Sequence, residues 1–133
     1  MTRTDRFFDT NVLLYAFSED GGKASVAERE IATGGFVSVQ ILVEFVSVAR
    51  RKLKHDWPAI RQALSAISIR LRCTEAGLAE HRLALEIAEQ TNFSFFDAFH
   101  IACAESAGCT QLVSEDMNHG QRIGSVTVHN PFL

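Results

Sequence analysis

The stretch that decides the fold is Arg6-Phe7-Phe8-Asp9-Thr10-Asn11-Val12-Leu13-Leu14. It is a short apolar run that ends at an acidic residue and is followed at once by a helix start. A carboxylate that leaves water without a partner costs several kcal/mol in practice. An acid between two Phe residues and a Val-Leu-Leu run is therefore unfavourable by itself. We expect the rest of the chain to bring further acidic residues to Asp9.

Composition indicates one globular domain, which we predict to span residues 1–133. The chain is 47% hydrophobic and 22% charged, and it is long enough to bury a core. Its formal net charge is −3, from 16 acidic and 13 basic residues. Because affinity for phosphates depends on Lys and Arg, this balance argues against a dedicated nucleic-acid coat. An enzyme that touches nucleic acid through a local basic patch is still compatible with it.

Cysteine usage and the N-terminal residues indicate the compartment. Cys73, Cys103 and Cys109 form no CxxC pair and would leave one cysteine over in any disulfide scheme. Reduced thiols in a cytoplasmic protein are the simplest explanation. The first residues contain no signal-peptide core, and no apolar segment approaches the length of a membrane span. We predict a cytoplasmic protein with no membrane segment.

Short apolar runs alternate with helical patterns along the chain. The runs predict strands at 5–9, 36–38, 71–73, 110–114 and 125–128. Strands alternating with helices give βαβ units, so we predict an α/β fold with helices on both faces of a small parallel sheet. In such sheets the ligand site lies beyond the carboxyl ends of the strands. Asp9 and Asp116 both fall at such ends, and we expect them to converge.

The sequence also predicts where helices begin: Ser38 is placed to cap a helix from Val39 to Lys54, and Asp56 to cap one that runs to about Ile69. We expect Thr10 or Asn11 to cap the first helix, and Thr74 to cap a helix that reaches about Gln90. The residues from Asp97 to Ala107 predict another helix, which Gly108 ends.

Four acids lie inside the most apolar segments of the chain: Asp9, Glu44, Asp97 and Asp116. Glu44 is the most informative, because the first half of its helix is apolar nearly all round and offers it no solvent face. The acids at positions 19, 20, 28, 30, 75, 80, 86, 89 and 105 lie in ordinary amphipathic or turn contexts. The apolar surroundings thus separate four candidate site residues from the rest.

Acids cluster in proteins chiefly to hold a hard cation. Mg²⁺ or Mn²⁺ takes oxygen ligands, and its charge offsets the repulsion that would otherwise raise the carboxylate pKa values. Such an ion can activate water and orient a phosphodiester. This chemistry needs no nucleophilic side chain and no Gly-rich loop, and the chain has no GxxxxGK[ST], GxGxxG or GxSxG motif.

Each acid also has a purely structural interpretation. Asp9 could be a helix cap, Asp97 could close a capping box with Ser94, and Asp116 could be a plain turn residue. Glu44 would need a buried Arg partner. These structural explanations are much less probable together than singly, so the set favours a shared site.

The ordered residues resemble a known family. Phe8-Asp9-Thr10-Asn11, Ser38-x5-Glu44, Phe96-Asp97-Ala98-x2-Ile101-Ala102 and Leu112-Val113-Ser114-Glu115-Asp116 resemble the PIN-domain nucleases, and among them the VapC-type toxins of toxin–antitoxin pairs. The resemblance implies a PIN-like three-layer α/β/α sandwich with a parallel sheet of four or five strands. It also implies a Mg²⁺- or Mn²⁺-dependent ribonuclease that cuts single-stranded or looped RNA. A small VapB-like antitoxin and a homodimer follow from the same resemblance.

The resemblance also assigns site residues. Asp9, Glu44, Asp97 and Asp116 fall on the acidic quartet of the family, with Asp9 and Asp97 expected to be the main metal ligands. Asp116 and Glu44 would hold metal-bound waters or a second ion. The supporting positions match Asn11 and Ser114, which would donate hydrogen bonds to the first acid or to the metal water. Ser114 departs mildly from the family, where Thr is more usual, but it carries the same hydroxyl.

Basic residues and histidines give weaker signals. Arg51 lies seven residues after Glu44 on the same helix face, where it could hold an RNA phosphate, and Arg50 precedes it in the densest basic run. A solvated helix end that complements the helix dipole explains this run equally well. His119, close to Asp116, is a candidate substrate contact. His100, three residues after Asp97, is better explained as a packed or supporting residue.

Two rival functions belong to other classes. A Mg²⁺-dependent phosphatase with an aspartyl nucleophile would need a second acid where the chain has Asn11, and no Lys follows in a suitable place. A catalytically silent PIN-like module that only binds RNA or a partner would be expected to have lost an acid, and none is missing. RNA cleavage that is sensitive to EDTA separates the nuclease from both rivals.

Overall fold

In this computed structural model, which describes residues 3–133, the chain forms six strands and six helices. The strands are β1 (Arg6–Phe8), β2 (Gly35–Ser38), β3 (Leu71–Thr74), β4 (Gln111–Val113), β5 (Arg122–Ile123) and β6 (Val126–His129). The helices are α1 (Thr10–Ala16), α2 (Gly21–Ala32), α3 (Val39–Arg51), α4 (Trp57–Arg70), α5 (Leu78–Gln90) and α6 (Phe95–Ser106). The first two residues of the predicted domain lie outside the described range.

All the strands belong to one sheet, in the order β3-β2-β1-β4-β6-β5. Every neighbouring pair is parallel except β5 and β6, which are antiparallel. The predicted α/β class and the small parallel sheet are confirmed: five strands are mutually parallel, and β5 adds a sixth, antiparallel strand at the edge. Sequence reasoning missed β5 because this strand has only two residues, Arg122 and Ile123, and therefore forms no apolar run. Arg122 is exposed at the edge of the sheet.

The decisive stretch forms the centre of the sheet. β1 lies between β2 and β4, with Phe7 opposite Phe36 on one side and Leu112 on the other. Phe7 and Phe8 are fully buried, as expected for a central parallel strand covered on both faces. Gly35 lets β2 approach β1 closely: a Cβ there would lie 2.7 Å from the Arg6 carbonyl oxygen.

Arg6 is a buried cation in this strand that sequence reasoning did not single out. Its guanidinium donates to Glu30 Oε2 at 2.6 Å, to Thr33 Oγ1 at 2.7 Å and to Gln111 Oε1 at 2.9 Å. These bonds link β1 to α2 and to β4. A buried charge with several charge-assisted partners is tolerated where an unpaired one is not. Arg6 therefore ties the centre of the sheet to the helix layer above it.

Three helix starts differ from the prediction. Asp9 caps α1, in place of Thr10 or Asn11, because its own carboxylate accepts from the Thr10 N–H. α5 begins after Gly77, since Thr74 still pairs in β3 and donates its hydroxyl to the Val37 carbonyl. α6 begins at Phe95, two residues before Asp97, with Ser94 as its cap.

The topology brings several chain segments to one edge of the sheet. β1 and β4 are adjacent, and the Asp9 N–H donates to the Val113 carbonyl at 3.0 Å. α3 starts directly after β2, at the carboxyl end of that strand. α6 ends just before β4 begins, at the opposite edge of the sheet, so its first residues lie at the carboxyl edge. The carboxyl edge of a parallel sheet is where such folds form their crevice. Within residues 3–133, no helix combines the length and the apolar character needed to cross a membrane.

Candidate active site

A cavity of about 310 Å³ opens at the carboxyl edge of the sheet. Its lining includes every predicted acid and two further predicted site residues: Asp9, Asn11, Glu44, Arg51, Asp97 and Asp116. A cavity of similar size, about 330 Å³, lies beside Gly34 and Leu71 and has no acidic lining. The chemistry of the lining, and not the size of the cavity, identifies the candidate site.

Asp9 has two structural roles. It is 4% exposed, and as the cap of α1 its Oδ1 accepts from the Thr10 N–H at 2.7 Å. Its Oδ2 accepts from the Ser114 hydroxyl at 2.8 Å. Burial raises the pKa of Asp9, and the His100 charge and these hydrogen bonds only partly oppose it. The helix-cap explanation and the site explanation are therefore both correct for this residue.

Asn11 and Ser114 hold the first acid in place. Asn11 Nδ2 donates to the Ser114 hydroxyl oxygen at 3.3 Å and lies 3.5 Å from Asp9 Oδ2. Asn11 Oδ1 accepts from the Glu115 N–H at 3.2 Å, and Ser114 Oγ accepts from the Asp116 N–H at 3.1 Å. Ser114 is fully buried. This network links the start of α1 to the segment after β4, so the two segments that carry Asp9 and Asp116 form one unit.

Asp97 lies in the first turn of α6. Its backbone N–H donates to Ser94 Oγ at 3.1 Å, which is the helix-capping contact considered from sequence. Burial raises the pKa of its carboxyl group, and the negative charges of Asp116 and Glu44 add to the rise, while His100 partly offsets it. The Asp97 carboxyl group is therefore close enough to Asp116 and Glu44 for their charges to disfavour its ionised form.

Glu44 is less buried than the sequence predicts. Its side chain is 28% exposed, and its partner is a histidine, not the buried arginine that a purely structural role would need. His100 Nε2 lies 2.9 Å from Glu44 Oε2 and 3.3 Å from Oε1. The apolar first half of α3 is not buried all round either, because Val39 and Val43 are 54% and 55% exposed. The expectation that the helix offers no solvent face is therefore wrong.

His100 itself is buried, 1% exposed. Burial lowers its pKa, but the hydrogen bond to Glu44 and the negative charges of Asp9, Glu44 and Asp97 outweigh that effect. The net result is a raised pKa for His100. Its position confirms the packed, supporting location expected from sequence.

The weaker sequence candidates separate in the structure. Arg51 lines the acidic cavity. Arg50 instead lies over the Trp57 ring, 4.9 Å from its centroid, and donates to the His55 carbonyl at 3.2 Å. His119 Nδ1 accepts from the Asn130 N–H at 3.0 Å. Neither Arg50 nor His119 contributes to the lining of the cavity.

Sequence reasoning missed two groups near the site. Ser47 and Val48 line the cavity with Glu44 and Arg51, and their spacing of three, four and seven residues on one helix face could have revealed them. The second group has no sequence signal. Lys23 Nζ lies 2.6 Å from Glu115 Oε2, and Tyr15 donates to Glu115 Oε1 at 2.8 Å. These bonds anchor the segment that carries Asp116 to α1 and α2.

The donor set of the cavity fits a hard divalent cation in its chemistry. Its acids offer carboxylate oxygens, and the raised pKa values of Asp9 and Asp97 are what a nearby cation would lower. As they stand, however, no three His, Cys, Asp or Glu side chains among residues 3–133 form a group that could hold a metal ion. An ion shared by three of the acids would therefore need side-chain rearrangement.

Comparisons with known proteins agree on the fold. A model of the PIN domain matches residues 6–122. No curated protein sequence matches the chain. A toxin–antitoxin complex from Klebsiella pneumoniae is 17% identical, with a TM-score of 0.73 over 95% of this chain and 97% of that one.

Two other solved structures are similar. VapBC from Salmonella typhimurium, bound to DNA, is 14% identical, with a TM-score of 0.68 over 97% of this chain and 99% of that one. VapC20 from Mycobacterium tuberculosis, described as a sarcin-ricin loop cleaving toxin, is 21% identical, with a TM-score of 0.62 over 80% and 86% of the two chains. At these identities the similarity establishes a shared fold.

Proposed function

The chain belongs to the PIN-domain family, and on that premise we propose that it is a metal-dependent endoribonuclease. It uses Mg²⁺ or Mn²⁺ and hydrolyses phosphodiester bonds in single-stranded or looped RNA. The observation that carries the proposal is the convergence of four acids on one cavity, from the end of β1, from α3, from α6 and from the segment after β4. Four acids in one cavity are electrostatically unfavourable unless they bind a cation.

Within this proposal each acid has a defined role. Asp9 and Asp97 are the main ligands of the ion, and Asp116 and Glu44 complete the set through waters or a second ion. When bound, the divalent ion supplies Lewis-acid chemistry: it activates water and offsets charge that develops on the phosphodiester. Ser114 and Asn11 keep the Asp9 carboxylate in one orientation, and Thr10 N–H occupies its other oxygen.

Arg51 supplies the positive charge that RNA requires. The cavity is otherwise acidic, and it would repel a polyanion without a cationic wall. A guanidinium on this wall suits a phosphate of the RNA backbone. Arg51 is therefore proposed as an RNA contact, whereas Arg50 and His119 have other partners in the fold.

The solved relatives suggest partners. Two of them are a toxin–antitoxin complex and a VapBC complex, and VapC20 is described as cleaving the sarcin-ricin loop. We extend this to the present chain: it is the toxin of a pair, acts in the cytoplasm and is neutralised by a small VapB-like antitoxin. Exposed apolar side chains on α3, α5 and α6, including Val43, Leu85 and Phe96, suit a homodimer contact.

The experiment that tests the proposal is an RNA cleavage assay with defined metals. The parent protein should cut structured RNA in Mg²⁺ or Mn²⁺, and EDTA should abolish cleavage. Asp9→Asn and Asp97→Asn should each lower the rate at least about a hundredfold, because each removes a charged ligand. Circular dichroism of both variants controls for folding. Full activity in both substituted proteins would refute the site.

One observation favours a second candidate, a PIN-like module that binds RNA without turnover. No three metal-ligating side chains among the described residues are ready to hold an ion as they stand. The same assay decides, if RNA binding is measured alongside cleavage. A parent protein that binds transfer and ribosomal RNA but never cuts them would favour this module. The family match favours the nuclease over an aspartyl phosphatase.

A further inference from the structure

The side chain of His100 connects the two helices that carry Glu44 and Asp97. His100 follows Asp97 by three residues in α6 and contacts Glu44 in α3. Among the side-chain hydrogen bonds described for residues 3–133, this contact is the one that joins α3 to α6. A histidine thus lies between two acids that would hold a metal, without being among the residues that line the cavity.

A packing role alone does not explain a histidine at this position. Its chain neighbours on α6 that are buried with it are apolar, namely Ala98, Ile101, Ala102 and Cys103. Its Nδ1 atom is buried and has no hydrogen-bond partner within the described part of the chain. An unpartnered buried nitrogen costs free energy, and a leucine of similar size would avoid that cost. Such local violations concentrate at functional sites.

Glu44 needs an orienting partner more than Asp9 does. Asp9 is short, buried and held by a backbone N–H and a hydroxyl. Glu44 has a longer side chain with more rotamers, and it is 28% exposed. His100 is the one side chain that the described structure places in hydrogen-bond contact with the Glu44 carboxylate. The direction of that carboxylate therefore depends on the imidazole.

We propose that His100 is a positioning residue whose Nε2–H orients the Glu44 carboxylate toward the cavity, so that Glu44 completes the acidic set for a divalent cation. The proposal deepens the proposed nuclease function and rests on it. Nε2 lies within 3.3 Å of both carboxylate oxygens, and with its proton there it donates to Oε1. Oε2 is buried and has no hydrogen-bond partner among the described residues, so it retains the capacity to bind a cation or its water. Partners of this kind usually orient metal-binding carboxylates.

Three substitutions separate the hydrogen bond from the packing. His100→Gln places its amide nitrogen near the position of Nε2 and keeps a donor for Glu44. His100→Asn is also a polar amide, but its nitrogen corresponds to the Nδ1 position and does not reach Glu44. His100→Leu fills the space without any donor.

The measurement is Mn²⁺ affinity in the absence of RNA, from the electron paramagnetic resonance signal of free Mn²⁺. The Leu and Asn variants should bind Mn²⁺ about tenfold more weakly than the parent, and His100→Gln should retain most of the affinity. Thermal unfolding without metal shows whether each variant is folded. If His100→Leu does not fold, the comparison of Gln with Asn decides by itself.

A double-variant cycle with Glu44→Gln shows whether His100 acts through Glu44. In the Glu44→Gln background, His100→Leu should lower Mn²⁺ affinity no further, because the carboxylate that it orients is gone. Unchanged affinity in the Leu and Asn variants, or an equal loss with and without Glu44, would overturn the proposal. A parent that binds Mn²⁺ and cuts RNA keeps the nuclease proposal in either case. A parent that binds no Mn²⁺ refutes both.

Discussion

At the scale of single residues, Asp9 shows how one carboxylate serves both folding and the site. It caps α1 through Oδ1, and its other oxygen accepts a hydrogen bond from the buried Ser114 hydroxyl. Burial raises its pKa, so in the metal-free protein its charged form is unfavourable. Function is therefore expected to cost stability at this position.

The effect of pH on stability should reveal this cost. Since the pKa of Asp9 is raised on folding, its contribution to stability is full below the unfolded pKa and is lost as pH rises through the folded pKa. Asp9→Asn keeps a helix-capping side chain but does not titrate. Relative to the parent in EDTA, the variant should gain free energy of unfolding as the pH rises from about 3 to 7.

Urea denaturation across that pH range measures the effect. Asp56→Asn is the control, because Asp56 also caps a helix, α4, where it accepts from the Ala59 N–H, but is exposed. The control should show a weaker dependence on pH than Asp9→Asn. If the two variants behave alike, burial of Asp9 is not what makes its charge unfavourable.

At the scale of elements, α3 presents two arginines to different surroundings. Glu44, Ser47, Val48 and Arg51 share the face that lines the cavity. Arg50 is one position away, so its side chain leaves the helix about 100° from that of Arg51, and it lies over the Trp57 ring. Both residues belong to the basic last turn, where positive charge also suits the helix dipole. Only the face that each residue occupies distinguishes their roles.

The two arginines therefore form a matched pair for a test of RNA contact. Arg51→Ala should lower kcat/KM for RNA about tenfold and reduce its dependence on salt, because it removes a phosphate contact. Arg50→Ala removes the same charge from the same turn and should change both quantities much less. Equal effects of the two substitutions would indicate a general electrostatic contribution in place of a specific contact.

At the scale of the whole molecule, an apolar surface extends beyond the cavity. Val39 and Val43 of α3 are more than half exposed, and so is Phe96 of α6. Gln40, His81 and Phe96 line a single cavity, which places α3, α5 and α6 side by side at this surface. Exposed apolar patches of this kind mark protein contacts, and they support the proposed homodimer.

A charge placed on this surface should separate the protomers. Light scattering after gel filtration should give the parent a dimer mass, and Val43→Asp should give a monomer mass, because a buried unpaired charge opposes association. Ile69→Asp is the control: Ile69 is 78% exposed on α4, beside a different cavity, and its substitution should leave the dimer intact. A Val43→Asp protein as dimeric as the parent would contradict this interface.

The proposed antitoxin has its own test. When the parent is co-expressed with a short co-encoded protein, that protein should remain bound to the parent during purification.

Much of the candidate site could be predicted because acidic residues are unusual within apolar segments of a sequence. Asp9, Glu44 and Asp97 each interrupt an apolar run, and Asp116 follows one closely. The structure brings all four to one cavity. The sequence could not predict that Glu44 contacts His100, because residues 56 positions apart meet only after α3 and α6 pack. The bond between Lys23 and Glu115 escaped prediction for the same reason.

By itself, the sequence determined the α/β class, the main strands and which four acids line the cavity. These depend on local pattern: apolar runs of strand length, helical periodicity and charges at strand ends. Only the tertiary structure decided that Asp9, in place of Thr10 or Asn11, caps α1, that a sixth strand pairs antiparallel at the edge, and that Arg51 but not Arg50 reaches the cavity. These depend on which groups compete for the same hydrogen bond, edge or helix face once the chain has packed.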